Sequence, residues 1–339
     1  MNYSGYIKEF LKAGLNSAGG QNNLGVGIVA PDVSTGKDVN KVGYYLYDYK
    51  SINIDNLLAP TSGELIHIET NPNTGKSFTG VVSDGFSNLT ININTKDTEV
   101  EKIEVKKPSV GSISGKGLTR KNENIFYISL RNNSAALVYT PPEYLNDEEL
   151  DKRNTQLRKW YAQVPVKFRI HYKGGRKEEK EYLVNLYRPP VMLVHGFTGV
   201  KETWERFDNY LSARKYSTYR GEYYALDESI PAQSRLLKTH IQEKKSKYQN
   251  NDIKIQKVNV VAHSMGGLIS RFYIEEAAYY SNDVFKLIMV GTPNHGVSLG
   301  KYFLGRIGSG GKHKIAGIQL FQHSDFLMKL NSLEDKGKH

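Results

Sequence analysis

The stretch Val258-Asn259-Val260-Val261-Ala262-His263-Ser264-Met265-Gly266-Gly267 decides the fold. A strand-length, mostly apolar run (Lys257 to Ala262) leads into a turn at Ser264, and the residues from Gly267 to Ala278 read as a helix. A serine that serves as a nucleophile sits on a strained strand-to-helix turn. The positions two before and two after it must be small, so that strand and helix can approach. Ala262 and Gly266 meet that demand, with Ala262 standing where glycine is more usual, and His263 lies between strand and serine. Gly267 adds room at the helix start, where the helix dipole favours negative charge developing nearby. Ser264 is therefore the expected catalytic serine.

Upstream, Val191-Met192-Leu193-Val194-His195-Gly196-Phe197-Thr198-Gly199 is a second apolar strand ending in a His-Gly turn. Acyl transfer needs two backbone N–H donors aimed at the oxyanion, one from the residue after the nucleophile and one from the loop after an earlier strand. Met265 and Phe197 are expected to supply them, leaving the Phe197 side chain free to line an acyl pocket. His195, beside Gly196, is expected to hold this loop by hydrogen bonding rather than to act as a base. Downstream, Val290-Gly291-Thr292-Pro293-Asn294-His295-Gly296 closes the next strand in a loop punctuated by Gly and Pro.

Between these segments the pattern alternates. Strands are expected at Val191 to His195, near Thr218 to Leu226, at Lys257 to Ala262 and at Phe285 to Val290. Helices are expected around Trp204 to Ala213, at Ala232 to Tyr248 and at Gly267 to Ala278. Continuously apolar strands separated by helices predict a parallel sheet covered on both faces, with chemistry at the carboxyl ends of its strands.

Taken together, the His-Gly-Phe loop, the Ala-His-Ser-Met-Gly-Gly turn and the Gly-Thr-Pro-Asn-His-Gly loop resemble the bacterial lipase and esterase branch of the α/β-hydrolase superfamily. The resemblance covers about residues 188 to 335. It implies Ser264 as nucleophile and the amides of Phe197 and Met265 as oxyanion hole; a small-molecule or lipid-like ester is the expected substrate, no cofactor is expected, and no metal ligand is assigned, with a structural calcium ion left open. It also implies a mobile cover from the stretch after Gly296, with Gly300, Gly305, Gly308, Gly310 and Gly311 among Tyr302, Phe303, Leu304 and Ile307, a segment that reads equally as a lid or as a plain loop. Ser324 to Asn331 resembles the helix that precedes the strand leading to the catalytic acid. A bacterial surface or extracellular setting, and peripheral contact with a lipid surface, go with this reading.

In that family the triad runs serine, acid, histidine, with the last two delivered after further strands. Here only the polar Ser332 to His339 follows Asn331, so the chain reads as the front portion of a longer hydrolase. The candidate acids after the serine are Asp283, Asp325, Glu334 and Asp335, and the histidines His295, His313, His323 and His339. Asp325 reads as a helix cap, Asp283 as a turn residue and His295 as structural. None takes the acid or base role. Loss of triad members costs about 10⁴ to 10⁶ in rate, so this chain is expected to be nearly inactive. The missing strands are expected to leave an unpaired sheet edge.

Before Arg188-Pro189-Pro190, where two prolines end any strand ladder, short β-like runs separated by turns extend back to about residue 60. They lie at Glu64 to Glu69, Phe78 to Val82, Leu89 to Ile93, Val100 to Val105, Ile125 to Leu130, Ala135 to Tyr139, Val166 to Tyr172 and Tyr182 to Tyr187. They predict an antiparallel, immunoglobulin-like sandwich over residues 61–187, with a helical insertion from Pro142 to Lys159. Residues 1–60 stay unassigned, with an amphipathic helix in Met1 to Gly20 and strands at Val26 to Ala30 and Tyr44 to Tyr47. Residues 188–339 form the partial α/β-hydrolase domain.

Composition sets the outer bounds. Of 339 residues, 39% are hydrophobic and 24% charged, which suits globular domains. No apolar run reaches the roughly 20 residues of a membrane-spanning helix, and no signal peptide is visible at the N-terminus. There is no cysteine, hence no disulfide or thiolate site. The net charge of +11 is scattered apart from Lys244, Lys245 and Lys247, and no nucleic-acid-binding motif accompanies it. The competing reading is a non-catalytic surface or binding protein that carries a degenerate hydrolase domain.

Overall fold

The computed structural model describes residues 26–29, 64–95, 99–223, 228–276, 278, 280–298 and 314–334. Met1 to Gly20, Tyr44 to Tyr47, the glycine-rich stretch from Gly300 to Gly311, His313, Asp335 and His339 lie outside the described residues. In chain order the strands are β1 (Val26–Val29), β2 (Ile66–Ile68), β3 (Gly80–Val82), β4 (Leu89–Asn94), β5 (Val100–Lys106), β6 (Ser112–Ser114), β7 (Leu118–Arg120), β8 (Ile125–Ile128) and β9 (Ser134–Thr140). They continue with β10 (Lys152–Asn154), β11 (Lys159–Tyr172), β12 (Lys177–Tyr187), β13 (Val191–Val194), β14 (Thr218–Arg220), β15 (Ile253–Lys254), β16 (Val258–His263) and β17 (Val284–Val290). The helices are α1 (Glu205–Ala213), α2 (Ile230–Gln249), α3 (Met265–Glu275), α4 (Lys314–Gln319) and α5 (Asp325–Glu334).

The chain divides into two compact units, one of residues 1–49, 190–244 and 257–339, the other of residues 50–189 and 245–256. In the first, five strands form one sheet in the order β1-β17-β16-β13-β14. The four strands β14, β13, β16 and β17 make three pairings, and all three are parallel. Strands β13 and β16 are buried nearly throughout, as expected where helices cover both faces. On one face α1 sets Phe207 and Leu211 with Trp204 and Tyr216 against Val191, Leu193 and Val261. Helix α3 is buried from Met265 to Tyr273.

The edge of β17 is not unpaired. Strand β1 runs antiparallel along it, with Val26 opposite Val290 and Val29 opposite Leu287. The expectation of an open edge considered only residues downstream of β17. A strand from the far N-terminal side satisfies the same backbone groups.

In the second unit an eight-stranded sheet (β15-β3-β12-β11-β5-β8-β7, with β10 on β11) and a four-stranded sheet (β2-β4-β9-β6) share one apolar core. Alternation makes that core. Ala162, Val164, Val166, Phe168, Ile170 and Tyr172 of β11 point inward at a period of two, and so do Leu89, Ile91 and Ile93 of β4. Most pairings are antiparallel, but β3 pairs parallel with both β12 and β15.

Two expectations change here. Pro142 to Lys159 is not helical: it passes through turns to β10, which pairs with the start of β11. Leu145 and Leu150 are buried in the core, and the Asn154 side chain accepts from the Leu157 N–H (2.8 Å) to close the hairpin. The density of charge that suggested a helix is the solvent side of a loop. Residues 245–256, read as part of an uninterrupted second domain, belong instead to the β-rich unit. There β15 pairs with Gly80 and Val81, Lys254 meets Glu69 at 2.6 Å, and the Gln256 N–H donates to the buried Asp84 carboxylate at 2.9 Å.

Candidate active site

Strand β16 delivers Ser264 and α3 leaves from it. Ser264 has φ 53° and ψ −124°, a backbone conformation that a residue with a side chain adopts only where its surroundings enforce it. The enforcement is visible. The Ser264 N–H donates to the Val290 carbonyl of the neighbouring strand (2.8 Å), and the Ser264 carbonyl accepts from the Gly267 N–H (3.0 Å). At Gly266 a β-carbon would stand 2.5 Å from the Val194 carbonyl oxygen and 2.7 Å from that of His195. At Gly267 it would collide with the Thr292 hydroxyl. The small residues thus let the first turn of α3 press onto the ends of β13 and β17, leaving Ser264 half-buried at the carboxyl edge of the sheet.

The loop after β13 packs on the other side of the serine. Gly196 is buried, and a β-carbon there would lie 2.7 Å from the Ser264 β-carbon and 3.3 Å from its hydroxyl oxygen. The Gly199 N–H donates to the Gly196 carbonyl (3.0 Å), closing a tight turn that sets Thr198 at φ 58° and leaves Phe197 half-buried at its tip. His195 is buried, with both ring nitrogens engaged. Its Nε2 accepts from the Tyr223 N–H (3.3 Å), so Nδ1 carries the proton and faces the Gly196 carbonyl (3.1 Å). Burial pulls the His195 pKa below its ordinary value, against the bond to Gly196, which favours the proton. His263 is likewise lowered, by burial first and by neighbouring His195 second, and its ring meets Trp204 edge-on at 6.5 Å.

The third loop, after β17, turns at Gly291 (φ 60°) and Gly296 (φ 81°). It is held by a residue that the sequence reading passed over. Arg271, buried on α3, donates to the Asn294 side chain (3.0 Å) and the Asn331 side chain (3.1 Å) and forms a two-pronged pair with Glu275 (2.8 and 3.2 Å). Asn331 in turn donates to the Asn294 carbonyl (3.1 Å). The signal was present as Arg271 four residues before Glu275 in a helix that is mostly apolar, where a buried charge must be paired.

Among the described residues no imidazole or carboxylate is hydrogen-bonded to the Ser264 hydroxyl. His295, His323 and Asp325 are exposed. The cap of α5 is Ser324, whose hydroxyl accepts from the Leu327 N–H (3.3 Å), rather than Asp325. Asp283 is buried at the amino end of β17, where its carboxylate accepts from the Tyr273 hydroxyl (2.7 Å) and its carbonyl from the Val258 N–H. A seven-residue strand of about 3.3 Å per residue separates it from the serine's end of the sheet. Asp283 is thus a buried anchor, more than the turn residue expected. No cluster of three metal-ligating side chains occurs among the described residues, and no described helix is long and apolar enough to cross a membrane.

A parallel sheet with a strained serine between strand and helix at its carboxyl edge defines an α/β-hydrolase type of domain. Residues 188–301, roughly a third of the chain, match the family model described as the PGAP1-like alpha/beta domain. That match puts the segment in the α/β-hydrolase superfamily. No curated protein matches the chain.

Among solved structures, a mature lipase of Bacillus licheniformis is 21% identical over 43% of this chain and 59% of its own, with a TM-score of 0.32. The propeptide form of that lipase is 23% identical over 44% and 33%, at 0.33. A phospholipase of Legionella pneumophila is 21% identical over 42% and 33%, also at 0.33. The chain spans less than two thirds of the length of each.

Proposed function

We propose that the protein is a serine carboxylic-ester hydrolase of lipase or esterase type, acting on lipid-like esters through an acyl-enzyme on Ser264. The observation that carries this reading is the strained φ of Ser264 between β16 and α3, with the Gly196 turn against its side chain. A fold maintains such strain where it serves chemistry. In the proposed reaction the Ser264 hydroxyl oxygen attacks the ester carbonyl and its proton passes to a base. The tetrahedral oxyanion is held by the N–H groups of Phe197 and Met265, and collapse expels the alcohol. Water then releases the acid. His195 lies beside the serine without acting as that base, since both its nitrogens are committed to the loop. For the β-rich unit we keep the reading of an immunoglobulin-like sandwich, supported by two sheets around one core.

The reading is tested with a fluorophosphonate probe on the full chain beside its Ser264→Ala variant. Labelling that maps to Ser264, slow because no described base meets its hydroxyl, and that vanishes in the variant is the expected result. Absence of labelling in both favours the second reading, a binding protein with a degenerate hydrolase domain, which gains from the lack of a described base on the Ser264 hydroxyl.

A further inference from the structure

Behind the Gly196 turn a file of rings leads away from Ser264. His195 meets Tyr223 edge to face with 5.5 Å between centroids, Tyr223 meets His240 in the same way at 5.4 Å, and His240 lies against Tyr219 at 5.2 Å. His195 and Tyr223 are buried, and His240 projects from the middle of α2. Two polar atoms in this file, the Tyr223 hydroxyl oxygen and His240 Nδ1, are shielded from solvent and have no hydrogen-bond partner among the described residues. Such atoms lower stability, so the file is not explained as a stabilising device. Gly221 leaves room for it, since a β-carbon there would stand 2.8 Å from both His240 Nδ1 and the Tyr223 ring.

We infer that His240 is a positioning residue for Ser264: its ring fixes Tyr223, Tyr223 fixes the His195 imidazole, and that imidazole holds the Gly196 turn against the serine. The inference rests on the reading of Ser264 as nucleophile and extends that site to helix α2. Each link has a distance. The rings of His240 and Tyr223 stand 5.4 Å apart, the Tyr223 N–H reaches His195 Nε2 at 3.3 Å, and His195 Nδ1 reaches the Gly196 carbonyl at 3.1 Å. Edge-to-face packing is directional, so loss of one ring lets the next rotate. Displacement of about 1 Å at a reacting centre slows a reaction by about 10²-fold. Because Nδ1 of His240 makes no bond among the described residues, the ring's shape is taken to carry the effect, and phenylalanine should replace it.

The test uses the full chain and a fluorophosphonate, separating the affinity of the probe from the rate of the bond-forming step, beside the nitrogen NMR signals of the His195 imidazole. In His240→Ala the bond-forming rate should fall at least fivefold with affinity within twofold, and His195 should lose its single Nδ1–H tautomer. His240→Phe should restore both. Gly221→Ala, which pushes on the same ring, should resemble His240→Ala. Should His240→Ala not fold, His240→Leu takes its place with the same expected loss. A bond-forming rate within twofold of the parent in folded His240→Ala, or a His240→Phe as slow as His240→Ala, overturns the inference. If the parent chain is not labelled at all, the hydrolase reading fails, and the His195 tautomer alone decides: changed in His240→Ala, the positioning stands; unchanged, it does not.

Discussion

Gly196 lies so close to Ser264 that any side chain at 196 would enter the space of the serine: a β-carbon would be 2.7 Å from the Ser264 β-carbon and 2.9 Å from the His263 carbonyl oxygen. Gly196→Ala should therefore displace the turn that carries Phe197, whose amide is the proposed oxyanion donor. Loss of one oxyanion donor costs about 10² to 10³ in rate. Fluorophosphonate labelling should fall by that order while the far-ultraviolet circular dichroism is unchanged, and labelling at the parent rate would contradict the packing described.

Gly267 and Thr292 form a second tight pair, in which a β-carbon at 267 collides with the Thr292 side chain. Gly267→Ala should destabilise the protein by about 1–3 kcal/mol through overpacking. In combination with Thr292→Gly the two effects should not add, because the second substitution empties the space that the first one fills. Urea midpoints of the two single variants and the double variant measure this; strict additivity would count against the contact.

Burial lowers the pKa of His67, His195, His240 and His263 from the ordinary value near 6.5. In the unfolded chain these groups protonate near pH 6.5, where the folded chain still excludes the proton. The unfolded state then binds more protons, so stability rises with pH across that window. It is complete above about pH 6.5 and is lost as pH falls through that value towards the lower folded ones. The urea midpoint should drop between pH 7.5 and pH 5, and a midpoint flat over this range would refute the assignment.

Asp84 is wholly buried and accepts from the Phe86 N–H (2.9 Å), the Ser87 N–H (2.6 Å), the Ser87 hydroxyl (2.7 Å) and the Gln256 N–H (2.9 Å). Asp84→Ala leaves these donors without their acceptor, at about 1–3 kcal/mol for an unsatisfied buried group. Hydrogen exchange at Ile253 and Lys254 should accelerate in the variant, since the anchor beside β15 is gone. Unchanged exchange there would show that β15 holds on strand pairing alone.

Neighbouring residues of a strand turn their N–H groups to opposite sides, so one of Gly27 and Ile28 donates towards β17. Gly27→Pro with Ile28→Pro removes that donor whichever it is. Amides of Leu287 to Val290 should then exchange faster, and equal protection would argue that β1 contributes nothing to the edge.

What could be read from the residues was what local pattern encodes. Strand β13 is an uninterrupted apolar run, β16 is nearly one, and the small residues Ala262, Gly266 and Gly267 around Ser264 suit a strand-to-helix elbow. Partners far apart in sequence left no such trace. Nothing in Val26–Val29 names β17 as its neighbour, and β15 is two residues long, too short for any period. The loop from Pro142 misled because charge density resembles a helix surface, while its two informative residues, Leu145 and Leu150, are five apart and fit neither period. At the site, Ser264 was readable because strain restricts its neighbours to small residues. Tyr223 was not, because its contacts with His195, one through a main-chain N–H and one through the ring, leave no trace in local pattern.

The placement of β15 bears on the order in which the molecule can be made. Strand β3 and its neighbours leave the ribosome first, yet Ile253 and Lys254, which close the edge at Gly80 and Val81, follow β12 by more than sixty residues. At synthesis rates of roughly 5–20 residues per second, the nascent β-rich unit waits on the order of 3–13 s with that edge open. During this interval it is a template for any other extended chain, so the risk of mispairing is greatest during translation and ends when α2 has been synthesised and the chain doubles back.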